Sequence, residues 1–232
     1  KYGLKVIMCT STATPPIWLT RKHPEILLVN QDGVATDHGR RQHASFQSSF
    51  FRDYSQKMIA ELGKRYGNNP NIIGWQLDNE PKGQDDHSES AQKRFRQWLK
   101  TKYGTIDSLN KAWGTAFWSM PYNSWDQIRI PRKSAGISQP THILDHNRFK
   151  SDETVSFLNL QQETLRKYIS EDQWITTNYI NRIGNVEPRA SKGLDFVSYT
   201  MYLVHGYSDG IGERGFRRGD PLAITFANDY FR

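Results

Sequence analysis

The apolar positions of this chain switch between two periods. Short apolar runs at 5–10, 72–80, 175–179 and 196–202 are bounded by loop-forming residues and read as strands. Between them, apolar residues recur at helical spacing. Residues 47–66 place Phe50, Tyr54, Met58 and Leu62 on one face, and Gly67-Asn68-Asn69-Pro70 stops the pattern. Residues 88–103 put Phe95, Trp98 and Leu99 together, and 108–113 form a short helix closed by Gly114. Residues 151–170 read as a long amphipathic helix burying Val155, Leu158, Leu165 and Ile169, and 216–232 as partly helical. Strand–helix alternation without internal repeats predicts an α/β domain with a parallel sheet. Residues 11–16 form a Ser/Thr/Pro loop directly after the first strand. Residues 115–147, with Trp118, Tyr122, Trp125 and three prolines, show no sustained period. A loop that long in a compact domain is usually functional, and this one is expected over the mouth of a cleft.

Composition narrows the function classes. The net charge of +7 invites a nucleic-acid reading, but Lys and Arg are interspersed with Asp and Glu, and the tightest cluster, Arg214-Gly215-Phe216-Arg217-Arg218, is short. We read these charges as solvated faces, so no nucleic-acid partner is expected. No apolar run approaches 18 residues, so no membrane span is expected. The single cysteine, Cys9, excludes a disulfide framework and a cysteine metal site, and its apolar neighbours suggest a core thiol. Aromatic residues make up 12% of the chain, 7 of them Trp, which suits either a core or a surface against which the C–H faces of sugars pack.

The chemistry concentrates at one strand end. Ile72-Ile73-Gly74-Trp75-Gln76-Leu77 runs into Asp78-Asn79-Glu80, and Pro81 breaks the chain. A buried strand that stops in a carboxylate delivers an acid to a cleft from a fixed backbone, and the preceding asparagine can bond a substrate hydroxyl. A solvent-capped strand end has the same text, and the segment alone leaves both readings open. His142 and His146, four apart but without the Glu of a metalloprotease pattern, read as surface residues on a loop.

A series of further blocks sets that segment in context. They include Ala13-Thr14-Pro15-Pro16-Ile17-Trp18-Leu19, Gly39-Arg40-Arg41-Gln42-His43, Phe95-Arg96-Gln97-Trp98-Leu99, Leu109-Asn110-Lys111-Ala112-Trp113-Gly114, Trp174-Ile175-Thr176-Thr177-Asn178-Tyr179 and Asp195-Phe196-Val197-Ser198-Tyr199. In this order, with Gly74–Glu80, they resemble glycoside hydrolase family 42, the bacterial β-galactosidases. The resemblance implies a retaining glycosidase acting on terminal β-galactosides from a (β/α)8 TIM barrel. Glu80 would be the catalytic acid/base, with Arg41, Asn79, Trp118 and Tyr202 binding substrate. It implies no cofactor. Some members bind zinc through cysteines near the third and fourth strand loops, but the matching places here hold Ser45 and residues 86–91, so no zinc site of that kind is expected. Members are often trimers, so a homo-oligomer is implied, and a cytoplasmic location likewise.

A full barrel takes about 250 residues, often more. This chain has 232, with long loops, and both ends read as cut. The resemblance makes it an incomplete TIM-barrel catalytic domain over 1–232, strands three to six with their helices, and puts the nucleophilic glutamate at strand seven, past Arg232. Glu213 follows no apolar strand and is rejected as a substitute. The text Ser198-Tyr199-Thr200-Met201-Tyr202-Leu203 departs from the family's usual Trp-Asp-x-Tyr-Pro. Other β-glycosidases of the clan (β-glucosidase, β-xylosidase, arabinosidase or agar-type) and a non-catalytic carbohydrate-binding barrel therefore stay open as alternatives.

Overall fold

The computed structural model describes residues 2–133, 139–180, Val186 and 192–200. Strand β1 (Val6–Cys9) lies parallel to β2 (Ile72–Gln76), which lies parallel to β3 (Trp174–Thr176); Met8 is level with Trp75, and Trp75 with Ile175. The run expected at 175–179 divides at Thr177: β4 (Asn178–Ile180) continues it but pairs in parallel with β5 (Ser198–Thr200). Thr177 bridges the two ladders, its hydroxyl donating to the Leu77 carbonyl (2.6 Å) and its own carbonyl accepting from Ser198 Oγ (2.8 Å). Gly74 is fixed by packing, because a Cβ there would overlap the Trp174 indole.

Helices connect the strands: α1 (Ile17–Lys22), α2 (Ser49–Tyr66), α3 (Glu89–Tyr103), α4 (Ile106–Trp113) and α5 (Pro140–Leu165). Ser48, Ser88 and Thr105 cap α2, α3 and α4 by accepting N–H groups of the first turn, and Gly114 closes α4 in the left-handed conformation at φ 66°. The core under the sheet joins Ile59, Trp75, Leu77, Leu158, Leu165 and Ile175, and a second cluster joins Phe95, Leu99, Leu109, Trp113 and Phe149.

Three expectations need correcting. On α2, the buried line is Phe51, Ser55, Ile59 and Gly63, while Phe50, Tyr54, Met58 and Leu62 sit half-buried beside it. Small residues on that line let the chain approach closely, and Tyr168 lies against Gly63. Helix α5 begins at Pro140 instead of 151 and ends at Leu165 instead of 170. Pro140 stands at the first helical position, where its missing N–H costs nothing, and the Gln139 side chain accepts the His142 N–H. The loop expected at 115–147 shrinks accordingly. Ile128 and Ile130 are buried against α3 and α4, and Gln92 and Arg96 of α3 bond the backbone of those two residues.

The same shift overturns the surface reading of the two histidines. Both lie on α5. His142 stacks on Trp113 at 4.6 Å between ring centroids, and His146 is 5% exposed, packed edge-on against Phe95. Burial, then Lys150, His87 and His142, push His146 down to about 3. Its folded value lies below the unfolded one, so the unfolded chain takes up the proton first. Stability should therefore fall as pH drops below about 6.5, by up to about 1.4 kcal/mol per pH unit, and level off near the folded value. A His146→Leu variant of the full-length protein should lose less melting temperature between pH 7 and pH 5 than the parent. Equal losses would exclude His146 as the source.

Candidate active site

β2 delivers Asp78-Asn79-Glu80 to one end of the sheet, where the chain turns through two left-handed residues, Asp78 (φ 50°) and Glu80 (φ 48°). Non-glycine residues rarely hold this conformation unless their surroundings determine it. Here side chains supply the partners. The Asp78 N–H donates to Thr10 Oγ1 (2.9 Å), and the Asp78 carbonyl accepts from Cys9 Sγ (3.3 Å) and Gln76 Nε2 (3.2 Å). Gln42 Nε2 donates to both the Asn79 carbonyl (2.8 Å) and the Glu80 carbonyl (2.9 Å). The Glu80 N–H donates to Asn178 Oδ1 at 3.0 Å. The turn is thus clamped from β1, from the segment after α1 and from β4.

Asp78 is wholly buried. Thr12 Oγ1 donates to its Oδ2 (2.5 Å) and the Asn79 N–H to its Oδ1 (2.6 Å). Burial pushes its carboxyl above the usual range, and those two bonds oppose the shift. Burial likewise raises the Cys9 thiol. Cys9 is half-buried and bonded to the turn, so it is not the plain core thiol expected.

Of the residues singled out in the sequence, the structure brings Glu80, Asn79 and Arg41 together. The Glu80 side chain is 10% exposed, and Arg41 Nη2 lies 3.9 Å from its Oε2 while keeping 65% of its own side chain in solvent. Asn79 Oδ1 accepts from Asn178 Nδ2 (3.3 Å), leaving Asn79 Nδ2 buried without a protein partner. Trp118 stands apart from this group. It lies in a turn just past α4, 81% exposed at φ 57°, with its ring against Phe117. Tyr202 and Glu213 lie outside the described residues.

Arg41 and Gln42 arrive on an irregular segment, 27–44, held by bridges between Leu27 and Ala44 and between Val29 and Ala35. Its anchor is Asp86, whose Oδ1 accepts the Val29 and Ser88 N–H groups and whose Oδ2 accepts the Ser45 (2.5 Å) and Ser88 (2.9 Å) hydroxyls. Ser45 and Asp86 are thus bonded directly to each other. Among the described residues, no group of three or more His, Cys, Asp or Glu is placed to hold a metal ion. No helix among them is long and apolar enough to cross a membrane.

Sequence reasoning passed over Gln42, Asn178 and Thr12 as site residues. None of the three carried a local signal; Asn178 follows two other polar residues, Thr176 and Thr177, and nothing nearby marks it.

The statistical model of glycoside hydrolase family 42, described as beta-galactosidase, matches residues 1–232. The chain belongs to glycoside hydrolase family 42. A beta-galactosidase of Thermus thermophilus is 36% identical to this family 42 chain over 240 residues, covering 99% of the chain and 37% of that relative. Among solved structures, the beta-galactosidase of Halorubrum lacusprofundi superposes with a TM-score of 0.88 at 32% identity, covering 98% of this chain and 35% of that one. The beta-galactosidase from the psychrophilic Marinomonas ef1 gives 0.82 at 38% identity, covering 87% and 31%. The family 42 chain thus spans 37% or less of these relatives' length. Its parallel strands and intervening helices are part of the α/β barrel fold these family 42 enzymes share. At 15% identity, the catalytic domain of a beta-amylase from Paenibacillus polymyxa shares the fold alone, with a TM-score of 0.73.

Proposed function

We propose that this chain is an internal stretch, strands three to six with their helices, of the catalytic barrel of a retaining β-galactosidase, with Glu80 as its acid/base. Its family and its beta-galactosidase relatives support the class of reaction. The observation that carries the role of Glu80 is the clamped turn at the end of β2, which holds a nearly buried carboxyl beside the Arg41 guanidinium.

In this reading the Glu80 acid donates its proton to the glycosidic oxygen as the bond to C1 breaks. A second carboxylate, about 5–5.5 Å away, takes C1 as a glycosyl ester. That nucleophile belongs to the part of the protein outside these 232 residues. Glu80, now ionised, removes a proton from water, and the water oxygen displaces the ester. The orphaned Asn79 Nδ2 is a buried donor awaiting an acceptor, and the sugar 2-hydroxyl supplies one. Arg41 reaches over the same ring, its exposed guanidinium losing water only when sugar binds.

Arg41 and Asn79 should then matter for binding rather than folding. In the full-length protein, Arg41→Ala or Asn79→Ala should each lower kcat/KM on nitrophenyl β-galactoside by about 10–100-fold, the loss expected for a hydrogen bond worth about 1.5–3 kcal/mol. Melting temperatures should stay within a few degrees of the parent. Collapse of the melting temperature in the Arg41 variant, or unchanged kinetics in both, would remove them from the substrate site.

A further inference from the structure

Asn178 reaches both residues that the proposed mechanism uses. Its Oδ1 accepts the Glu80 N–H (3.0 Å) and Gln76 Nε2 (3.1 Å), and its Nδ2 donates to Asn79 Oδ1 (3.3 Å) and Thr200 Oγ1 (3.1 Å). A reversed amide would set NH2 against the Glu80 N–H, donor against donor, so the network fixes which end is oxygen. From that fixed end the orientation of a second amide follows. With Asn178 Nδ2 on its oxygen, Asn79 must turn its own NH2 the other way, and that NH2 is the group left buried without a partner.

We infer that Asn178 is a positioning residue that sets the amide of Asn79 as a donor toward the sugar while holding the Glu80 backbone in place. The inference rests on the role proposed above for the Asn79–Glu80 pair. It explains why an asparagine suits position 178 better than its isosteres. Aspartate keeps the acceptor for the Glu80 N–H but presents a second acceptor to Asn79. The Asn79 amide then flips to donate to it and shows the sugar a carbonyl in place of a donor. Leucine, of the same shape, holds neither residue.

The test compares nitrophenyl β-galactoside with its 2-deoxy counterpart in the full-length protein. The parent enzyme should favour the 2-hydroxyl substrate, and Asn178→Asp should lower that preference by about tenfold or more, as a misaligned partner for a substrate hydroxyl does. Asn79→Ala should lower it similarly, and Asn178→Asp added to Asn79→Ala should lower it no further. Equal losses on both substrates, or additive losses in the double variant, would overturn the inference. If Asn178→Asp does not fold, Asn178→Ala decides: it frees the Asn79 amide and should still reduce the preference, and an unchanged preference would overturn the inference. Glu80→Ala separates the two levels. Turnover of lactose-type substrates at the parent rate in that variant would sink the proposed acid/base itself, whereas a loss of about 10²-fold or more there, combined with an unchanged 2-hydroxyl preference in the Asn178 variants, would sink only the role of Asn178.

Discussion

Replacing Glu80 by alanine in the full-length protein should slow hydrolysis of lactose-type substrates by about 10²–10⁴-fold, the usual contribution of a positioned acid/base. The loss should depend on the leaving group. An alkoxide departs slowly unless protonated, so those substrates lose the most. A dinitrophenolate needs no proton, so its departure should proceed almost normally and the glycosyl ester should accumulate. Azide needs no base to attack that ester, so added azide should restore turnover and yield a β-glycosyl azide. The turn at Asp78–Glu80 is clamped through backbone groups and neighbouring side chains, so the truncation leaves its fastenings intact. Turnover of lactose-type substrates at the parent rate, or no azide product, would end the assignment of Glu80.

The largest effect on stability is expected at Glu153. This residue is 7% exposed on α5 and binds α3 and α2 at once. Arg94 forks onto it, Nε to Oε2 at 2.6 Å and Nη2 to Oε1 at 2.9 Å, and Arg52 Nη2 meets Oε2 at 3.3 Å. Burial draws Arg52 down to about 10, with the Glu153 charge opposing that fall. Glu153→Ala therefore strands a guanidinium among packed helices and should cost about 3–5 kcal/mol, the range for breaking one side of a buried pair. Denaturant unfolding of the full-length protein, followed through the transition that includes this domain, measures it. A cost under about 1 kcal/mol would mean that the pair behaves like an exposed one.

The elements were legible in the sequence where period and punctuation agreed. Helix α3 was expected at 88–103 and spans Glu89–Tyr103, because Ser88 caps it, Phe95 and Leu99 mark its face, and Gly104 ends it. The first turns of α5 were hidden. Much of what that helix buries is polar, including Asp145, His146, Lys150 and Glu153, so no apolar period announces it. Asp145 is satisfied by Lys102, Tyr103 and Trp113, partners on other helices that no local pattern reveals. The site divides in the same way. Asn79 and Glu80 could be read from a strand that stops in polar residues. Gln42 and Asn178 could not, since their roles exist only through residues 37 and 98 positions away.

Six non-glycine residues adopt left-handed backbone among those described, and Gln42, Asp78 and Glu80 are directly bonded to one another's segments at the end of the sheet, with Ser11 just beyond β1. Each such conformation costs about 1–3 kcal/mol that a glycine would not incur. The positions offering the cheapest gain in heat resistance are therefore the ones a thermostability screen should leave alone. A glycine at 42 would ease the backbone but remove the amide that holds the Asn79 and Glu80 carbonyls, so a screen rewarding heat resistance there would loosen the corner that aims Glu80.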